Sequence, residues 1–159
     1  MERDDHPEPH ALRGATDRSA LLTIREIIAR MEPLATPKLD HYLNPSILTV
    51  DLDDGLCTAT EARIDIEWTT RGDYKFHYTD IEGVNVRWGC HPHSGDYVDV
   101  SELAHFHPPP DASSDPRSVE TSCITQASPE MVTRAVLKLW RVAYHRDAYE
   151  ALNAGSNPP

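Results

Sequence analysis

The chain has 159 residues and a formal net charge of −11, with 26 acidic residues against 15 basic ones. This length fits one domain, and the chain holds no apolar run long enough to span a bilayer. Its three cysteines are odd in number and widely spaced, which argues against a disulfide framework, and its N-terminus lacks the apolar core of a signal peptide. We therefore expect a soluble, single-domain protein of the cytoplasm.

Most of the basic residues are arginines, and only three are lysines: Lys38, Lys75 and Lys138. Molar salt shortens the Debye length to about 3 Å and makes such a self-repelling surface tolerable. We interpret the composition as halophilic, against the alternative of an ordinary acidic protein. In a salt-rich cell, overall acidity does not exclude nucleic-acid binding.

The two ends of the chain combine charges, prolines and glycines without apolar periodicity. Such segments bury too little apolar surface to offset the entropy of ordering. We predict disordered segments at residues 1–18 and 153–159, with one ordered α+β domain at 19–152.

Two amphipathic helices frame the domain. The first is predicted over residues 19–31, with Asp17 or Ser19 as its N-cap. Pro33 and Pro37 follow it and end it. The second begins after Ser128, which is predicted to cap it, with Pro129 in the first helical position.

Between the helices, apolar and polar residues alternate in runs separated by short turns, which is typical of an antiparallel meander. The predicted strands are 47–52, 61–68, 74–78, 84–88 and a short edge strand at 122–125. Residues 89–122 show no regular pattern beyond a weak strand candidate at 97–98. We predict a four- to five-stranded antiparallel sheet with both helices on its apolar face.

The polar face of this sheet carries the first candidate site. Its predicted members are Asp65, Glu67, Lys75, His77, Asn85 and Arg87. A histidine between a carboxylate and an arginine suits proton transfer beside an anionic phosphate. The alternative is a solvated sheet face with weak surface ion pairs.

Four histidines form two His-x-His pairs, with a cysteine beside the first pair. They are His91, His93, His105, His107 and Cys90. In extended backbone, residues i and i+2 point the same way, so each pair is able to bind one Zn²⁺ or another divalent transition metal. The spacings of common structural zinc sites are absent. Phosphate handling and plain loop histidines remain alternatives.

A basic ridge lies on the second helix, opposite its apolar stripe. It consists of Arg134, Lys138, Arg141 and His145. The ridge suits RNA phosphates or an acidic partner, and the alternative is an ordinary surface helix.

Three segments, 74–78, 86–93 and 105–110, resemble the TumE-type family of toxin components of toxin–antitoxin pairs. The resemblance covers about residues 45–152. It implies functional roles for Arg87, His105 and His107, with His91 and His93 as additions. Where the family pattern has aspartate, this chain has Gly89, which implies either a weakened copy or the use of another acid such as Asp96.

These observations lead to a hypothesis of an RNA-directed toxin that needs no cofactor and has an antitoxin encoded nearby as its partner. Arg87 and Lys75 would hold phosphate, and His105 or His107 would act as base or acid with His77 assisting. Further substrate contacts are predicted for His91, His93, Arg134, Lys138 and Arg141. The alternatives are a non-catalytic module that binds metal or protein through the His-x-His loop, and a degenerate toxin homologue.

Overall fold

The computed structural model describes residues 12–92 and 103–155. These residues form an α+β fold in which each strand pairs antiparallel with the next one along the chain. The strands are β1 (Ala35–Leu39), β2 (Leu48–Leu52), β3 (Ala62–Trp68), β4 (Tyr74–Asp80), β5 (Asn85–Cys90), β6 (Ala104–His107) and β7 (Glu120–Thr121). The helices are α1 (Arg18–Met31), α2 (Pro129–Arg146) and a closing 3₁₀ turn (Glu150–Asn153).

The predicted fold class and meander are confirmed, but the predicted number of strands is wrong: the described residues form seven. One added strand is β1, which contains Pro37 and lies at an edge of the sheet. The Asp40 main-chain N–H donates to the Ile47 carbonyl across this pair, so the backbone N–H groups of even-numbered residues in β1 point toward β2. The backbone nitrogen of Pro37 therefore points to the open edge of the sheet. Because no donor is needed there, proline is compatible with the strand.

The other added strands, β6 and β7, lie in the stretch where the sequence shows no regular pattern. His105, Phe106 and His107 are all buried, so β6 lacks the alternation of a half-exposed strand. Strand β7 has two residues, and the edge strand predicted at 122–125 is wrong, because those residues are not in a strand. The candidate at 97–98 lies outside the described residues.

The predicted helix signals are confirmed. Asp17 caps α1 by accepting a hydrogen bond from the Ala20 amide at 3.0 Å. Ser128 caps α2 by accepting from the Met131 amide at 3.2 Å, with Pro129 at the first position. Among the described residues, no helix is both long enough and apolar enough to cross a membrane.

Both helices pack on one face of the sheet, where their apolar stripes meet the aromatic residues of β3, β4 and β5. The core includes Ile24, Ile28, Phe76, Trp88 and Trp140, each at most 2% exposed. Burial of such side chains stabilises the fold by roughly 1.5–3 kcal/mol each. The described helices leave the other face of the sheet uncovered.

Residues 13–17, part of the predicted loose N-terminal segment, contact the turn between β3 and β4. The Asp17 amide donates to the Trp68 carbonyl at 2.8 Å. Arg13 binds the buried Asp73 carboxylate through two side-chain nitrogens and its own amide. Burial alone would raise the pKa of Asp73, but the Arg13 hydrogen bonds hold it below its usual value.

Candidate functional site

Two rows of side chains cross the helix-free face of the sheet. The first row follows the register Asp65, His77, Arg87, His107, one residue each from β3 to β6. The second row follows Glu67, Lys75, Gly89, His105. The register thus brings the predicted catalytic residues onto one face. Within these rows, the Lys75 ammonium lies 3.8 Å from the Glu67 carboxylate.

His77 differs from the other described histidines of this face because it is only partly buried. Its Nε2 lies 2.9 Å from the Asn85 side-chain oxygen. Burial lowers the pKa of His77, the Asn85 hydrogen bond partly offsets that effect, and the charge of Arg87 adds to the lowering. A neutral imidazole beside a cationic guanidinium is suited to accepting a proton near a phosphate.

The buried histidine cluster, which we define as His91, His105 and His107, lies at the end of β5 and along β6. All three residues are 0% exposed. The ring centroids of His91 and His105 are 4.6 Å apart, and those of His105 and His107 are 5.0 Å apart. Burial lowers the pKa of His91, and the positive charge of Lys75 acts in the same direction.

Each imidazole of the cluster is held by the main chain through its Nδ1. His91 bonds the Pro92 carbonyl at 3.0 Å, and His105 bonds the Leu103 carbonyl at 2.8 Å. His107 bonds the Ser113 carbonyl at 2.8 Å. Carbonyl oxygens only accept hydrogen bonds, so each Nδ1 carries a proton. In a neutral ring, the lone pair is then on Nε2.

Arg87 lies between the cluster and the surface. Its Nη2 donates to the Ser114 hydroxyl at 3.2 Å and lies 3.4 Å from His107 Nδ1. Because the shorter Ser113 bond already uses the Nδ1 proton, we interpret the Arg87–His107 approach as a contact between two donor groups.

Gly89 provides the space for the His105 ring. A Cβ atom at this position would lie 3.2 Å from His105 Nε2 and 3.6 Å from His91 Cδ2. The glycine at the position where the resemblance implies aspartate therefore lies directly against the buried histidine cluster.

Cys90 is not brought to the histidines. It lies next to Gly89 in β5 and packs against the hydrophobic core on the opposite face, beside Tyr74 in the register. Burial raises the pKa of this thiol, and Asp73 raises it further. His93 and Asp96 lie outside the described residues.

No group of three or more histidine, cysteine or acidic side chains within residues 12–92 and 103–155 is arranged to hold a metal ion. The three described histidines of the predicted metal set are adjacent but do not form such a group by themselves.

The basic ridge of α2 lies on the helical side of the sheet, away from the two polar rows. Arg134 pairs with Glu130 at 3.2 Å on the same helix. Arg141 forms an ion pair with Glu32, whose side chain is 3% exposed, and its Nε donates to Glu32 Oε2 at 3.0 Å. Arg141 thus stabilises the contact between α1 and α2, while Arg134 and Lys138 are exposed.

Asn85 was predicted as a member of the polar face but without a role of its own, and Ser114 was not predicted at all. Asn85 shares the face of Arg87 by strand alternation, so its position was predictable. Its contact with His77 depends on the hairpin register, and the contact of Ser114 with Arg87 depends on a loop conformation that no periodicity encodes.

Together these features define a small α+β protein with helices on one side of its sheet and with Lys75, Arg87 and the sheet histidines on the other. A family model described as Toxin TumE matches residues 24–143, from α1 to α2. The chain belongs to this family, which confirms the predicted resemblance. The match begins earlier than the predicted residue 45, within α1, and ends at residue 143 rather than 152. Membership makes the protein toxin-like and implies a cognate antitoxin. No curated protein and no solved structure matches the chain.

Proposed function

We propose that this protein is a toxin that cleaves RNA by acid–base chemistry on the helix-free face of its sheet. The observation that carries the proposal is the row in which the half-buried His77 lies between Asp65 and Arg87. A proton acceptor next to a fixed cation is the minimum that phosphodiester transfer needs from a protein.

Arg87 and Lys75 are proposed to hold the phosphate. Arg87 is fixed by Ser114, and Lys75 lies on the same face two residues along β4 from His77, at about 7 Å of strand rise. Their charges would stabilise the extra negative charge of the pentavalent transition state.

The direct proton transfer is assigned to His77 rather than to His105 or His107. Those two residues are 0% exposed, so RNA in the present conformation does not reach them. We propose that His107 positions Arg87 and that His105 packs against Gly89, both from within the sheet. Arg134, Lys138 and Arg141 lie on the helical side, so the proposed RNA path does not include them.

The test is incubation of purified protein with RNA in several molar KCl, with added divalent metal or with chelator. Cleavage in both conditions, lost in His77→Gln and Arg87→Ala, supports the proposal. Lys38→Ala is the matched control, because Lys38 is an exposed cation of β1 on the same face, three strands away from His77 in the register. RNA that stays intact under all conditions contradicts the nuclease function.

The cognate antitoxin is proposed to cover the same face. Its binding would be weakened by Arg87→Ala and retained by Lys138→Ala, which alters the opposite side. Binding that depends on Lys138 instead would place the antitoxin on the helices.

A second candidate function is metal binding by the His-x-His segments. The favouring observation is that all three described imidazoles donate Nδ1–H to main-chain carbonyls, which is the usual outer-shell arrangement of metal-ligating histidines. Stoichiometric zinc or nickel after purification, lost in His105→Ala and retained in His77→Gln, would support it. Metal-free protein whose melting is unchanged by chelator or added zinc would remove it.

A third candidate is a degenerate toxin that keeps only partner binding, motivated by Gly89. Activity that appears only in Gly89→Asp would support this candidate. Activity already present in the unaltered chain would contradict it.

A further inference from the structure

The side chain of Asn85 makes three contacts at the start of β5. Its Oδ1 lies 2.9 Å from His77 Nε2 and 3.2 Å from the Thr79 hydroxyl. Its Nδ2 donates to the Gly83 carbonyl at 3.1 Å. The main-chain N–H of Asn85 also donates a hydrogen bond, to the Pro110 carbonyl at 2.6 Å.

These contacts determine which way the amide of Asn85 faces. The Gly83 carbonyl only accepts hydrogen bonds, so the nitrogen of the amide must face it. The oxygen then faces His77 and Thr79, and the Thr79 hydroxyl donates to it. The opposite orientation would place the Asn85 amide nitrogen against His77 and two acceptor oxygens against each other at Gly83.

The orientation of the amide in turn fixes the tautomer of His77. Asn85 Oδ1 carries no proton, so a hydrogen bond at 2.9 Å requires that His77 Nε2 carries one. The lone pair of the neutral ring is therefore on Nδ1. This is the reverse of the buried histidine cluster, whose members carry the proton on Nδ1.

We propose that Asn85 is a positioning residue that orients His77 and makes its Nδ1 the proton acceptor for a ribose 2′-hydroxyl. This inference rests on the proposed function and adds the reacting atom and the substrate class: RNA, with a required 2′-hydroxyl. In the step, the 2′-oxygen forms a bond to phosphorus while the bond from phosphorus to the 5′-oxygen breaks. The 2′-hydroxyl proton passes to His77 Nδ1, and water supplies the proton of the leaving 5′-oxygen.

The charged groups around His77 fit this role. Asp65 on β3 and Arg87 on β5 are its direct neighbours in the register, and Lys75 precedes it on β4. Asp65 and the Asn85 oxygen favour the imidazolium formed in the step, while Arg87 and Lys75 favour return of the proton. The products are a 2′,3′-cyclic phosphate and a 5′-hydroxyl, and a chain of deoxyribonucleotides is not cleaved.

The test begins with ¹⁵N NMR of the histidine rings, which separates protonated from unprotonated ring nitrogens. Wild-type protein is expected to show His77 with Nε2 protonated and Nδ1 unprotonated at neutral pH. Asn85→Asp, which keeps an acceptor and adds charge, is expected to raise the His77 pKa, and Asn85→Leu is expected to lower it. Thr79→Val is the matched control, since it removes the other donor to Oδ1 and should keep the wild-type tautomer.

Kinetics on an RNA oligonucleotide completes the test. Asn85→Leu is expected to lower kcat about tenfold with little change in KM, which is a part of the roughly 10²- to 10⁴-fold that general-base catalysis contributes. Asn85→Asp is expected to move the acid limb of the kcat profile to higher pH. A His77 that carries its proton on Nδ1, or a His77 pKa unchanged in both Asn85 variants, overturns the positioning role whether or not RNA is cleaved.

The two proposals fail separately. Intact RNA together with the predicted ring protonation overturns the nuclease function but confirms the Asn85–His77 geometry. Cleavage of RNA that is insensitive to Asn85→Leu and Asn85→Asp supports the nuclease and overturns the inference. Equal cleavage of DNA contradicts the 2′-hydroxyl step.

Discussion

His105 lies over Gly89 across the β5–β6 pair, so that a Cβ at position 89 would approach His105 Nε2 to 3.2 Å. The ring has little freedom to move away, because its Nδ1 bonds the Leu103 carbonyl at 2.8 Å and the residue is fully buried. A side chain at position 89 is thus coupled to the buried histidine cluster.

Gly89→Ala is expected to destabilise the fold by about 1–2 kcal/mol, within the range for overpacking a buried site. Chemical denaturation measures the loss. In a double-mutant cycle with His105→Ala, the cost of the added methyl should largely disappear, because its contact is gone. Additive losses from the two substitutions would contradict the contact.

Arg141→Ala is expected to destabilise the fold by about 2 kcal/mol, because it leaves the Glu32 carboxylate buried without its cation. The estimate is reduced from that for a fully buried pair because Arg141 is 30% exposed. Lys138→Ala, one turn earlier on an exposed position, is expected to change stability by less than about 0.5 kcal/mol. Equal effects of both substitutions on urea unfolding would indicate that Arg141 belongs to a solvated ridge, as the sequence alone suggested.

Stability is expected to fall as the pH is lowered through His77 titration. The pKa of His77 is lowered from 6.5, first by burial, so below pH 6.5 the unfolded chain binds a proton that the folded chain does not. This contribution is complete above pH 6.5 and is lost as the pH drops from there toward the folded-state pKa. The pKa values of Asp73 and Asp40 are lowered from 3.8, so these carboxyl groups titrate at more acidic pH than His77.

Because other groups also titrate, the measured quantity is the difference between wild type and His77→Gln in urea unfolding from pH 5 to pH 8. The wild-type stability should fall more steeply on acidification than that of the variant. An identical slope, or a wild type that gains relative stability at pH 5, would contradict the lowered pKa.

The melting temperature is expected to rise between 0.1 M and 3 M KCl. A net charge of −11 repels itself at low salt, and screening shortens from about 10 Å at 0.1 M to about 3 Å at 1 M. Sucrose at matched osmolality is the control for a general solute effect. A melting temperature that stays constant or falls in KCl would contradict the interpretation of the acidic surface as halophilic.

Features that depend on nearby residues could be predicted from the sequence, whereas features that depend on long-range contacts could not. Strand alternation placed His77 and Arg87 on one face, because side chains in a strand repeat with a period of two. It did not show that β6 is buried on both faces, and so could not distinguish the accessible His77 from the buried His105. Helix caps such as Asp17 and Ser128 are local and were predictable, whereas the partner of Arg141 lies 109 residues away at Glu32.

The most direct test of the central claim, that the polar sheet face of a toxin holds its active residues, is a growth assay in a salt-adapted host. Wild type, a His77→Gln/Arg87→Ala double variant and the Lys38→Ala control would be induced to equal levels, checked by immunoblot. Growth arrest is expected with wild type and with Lys38→Ala, and normal growth is expected with the double variant. Arrest by all three, or by none, would contradict the central claim.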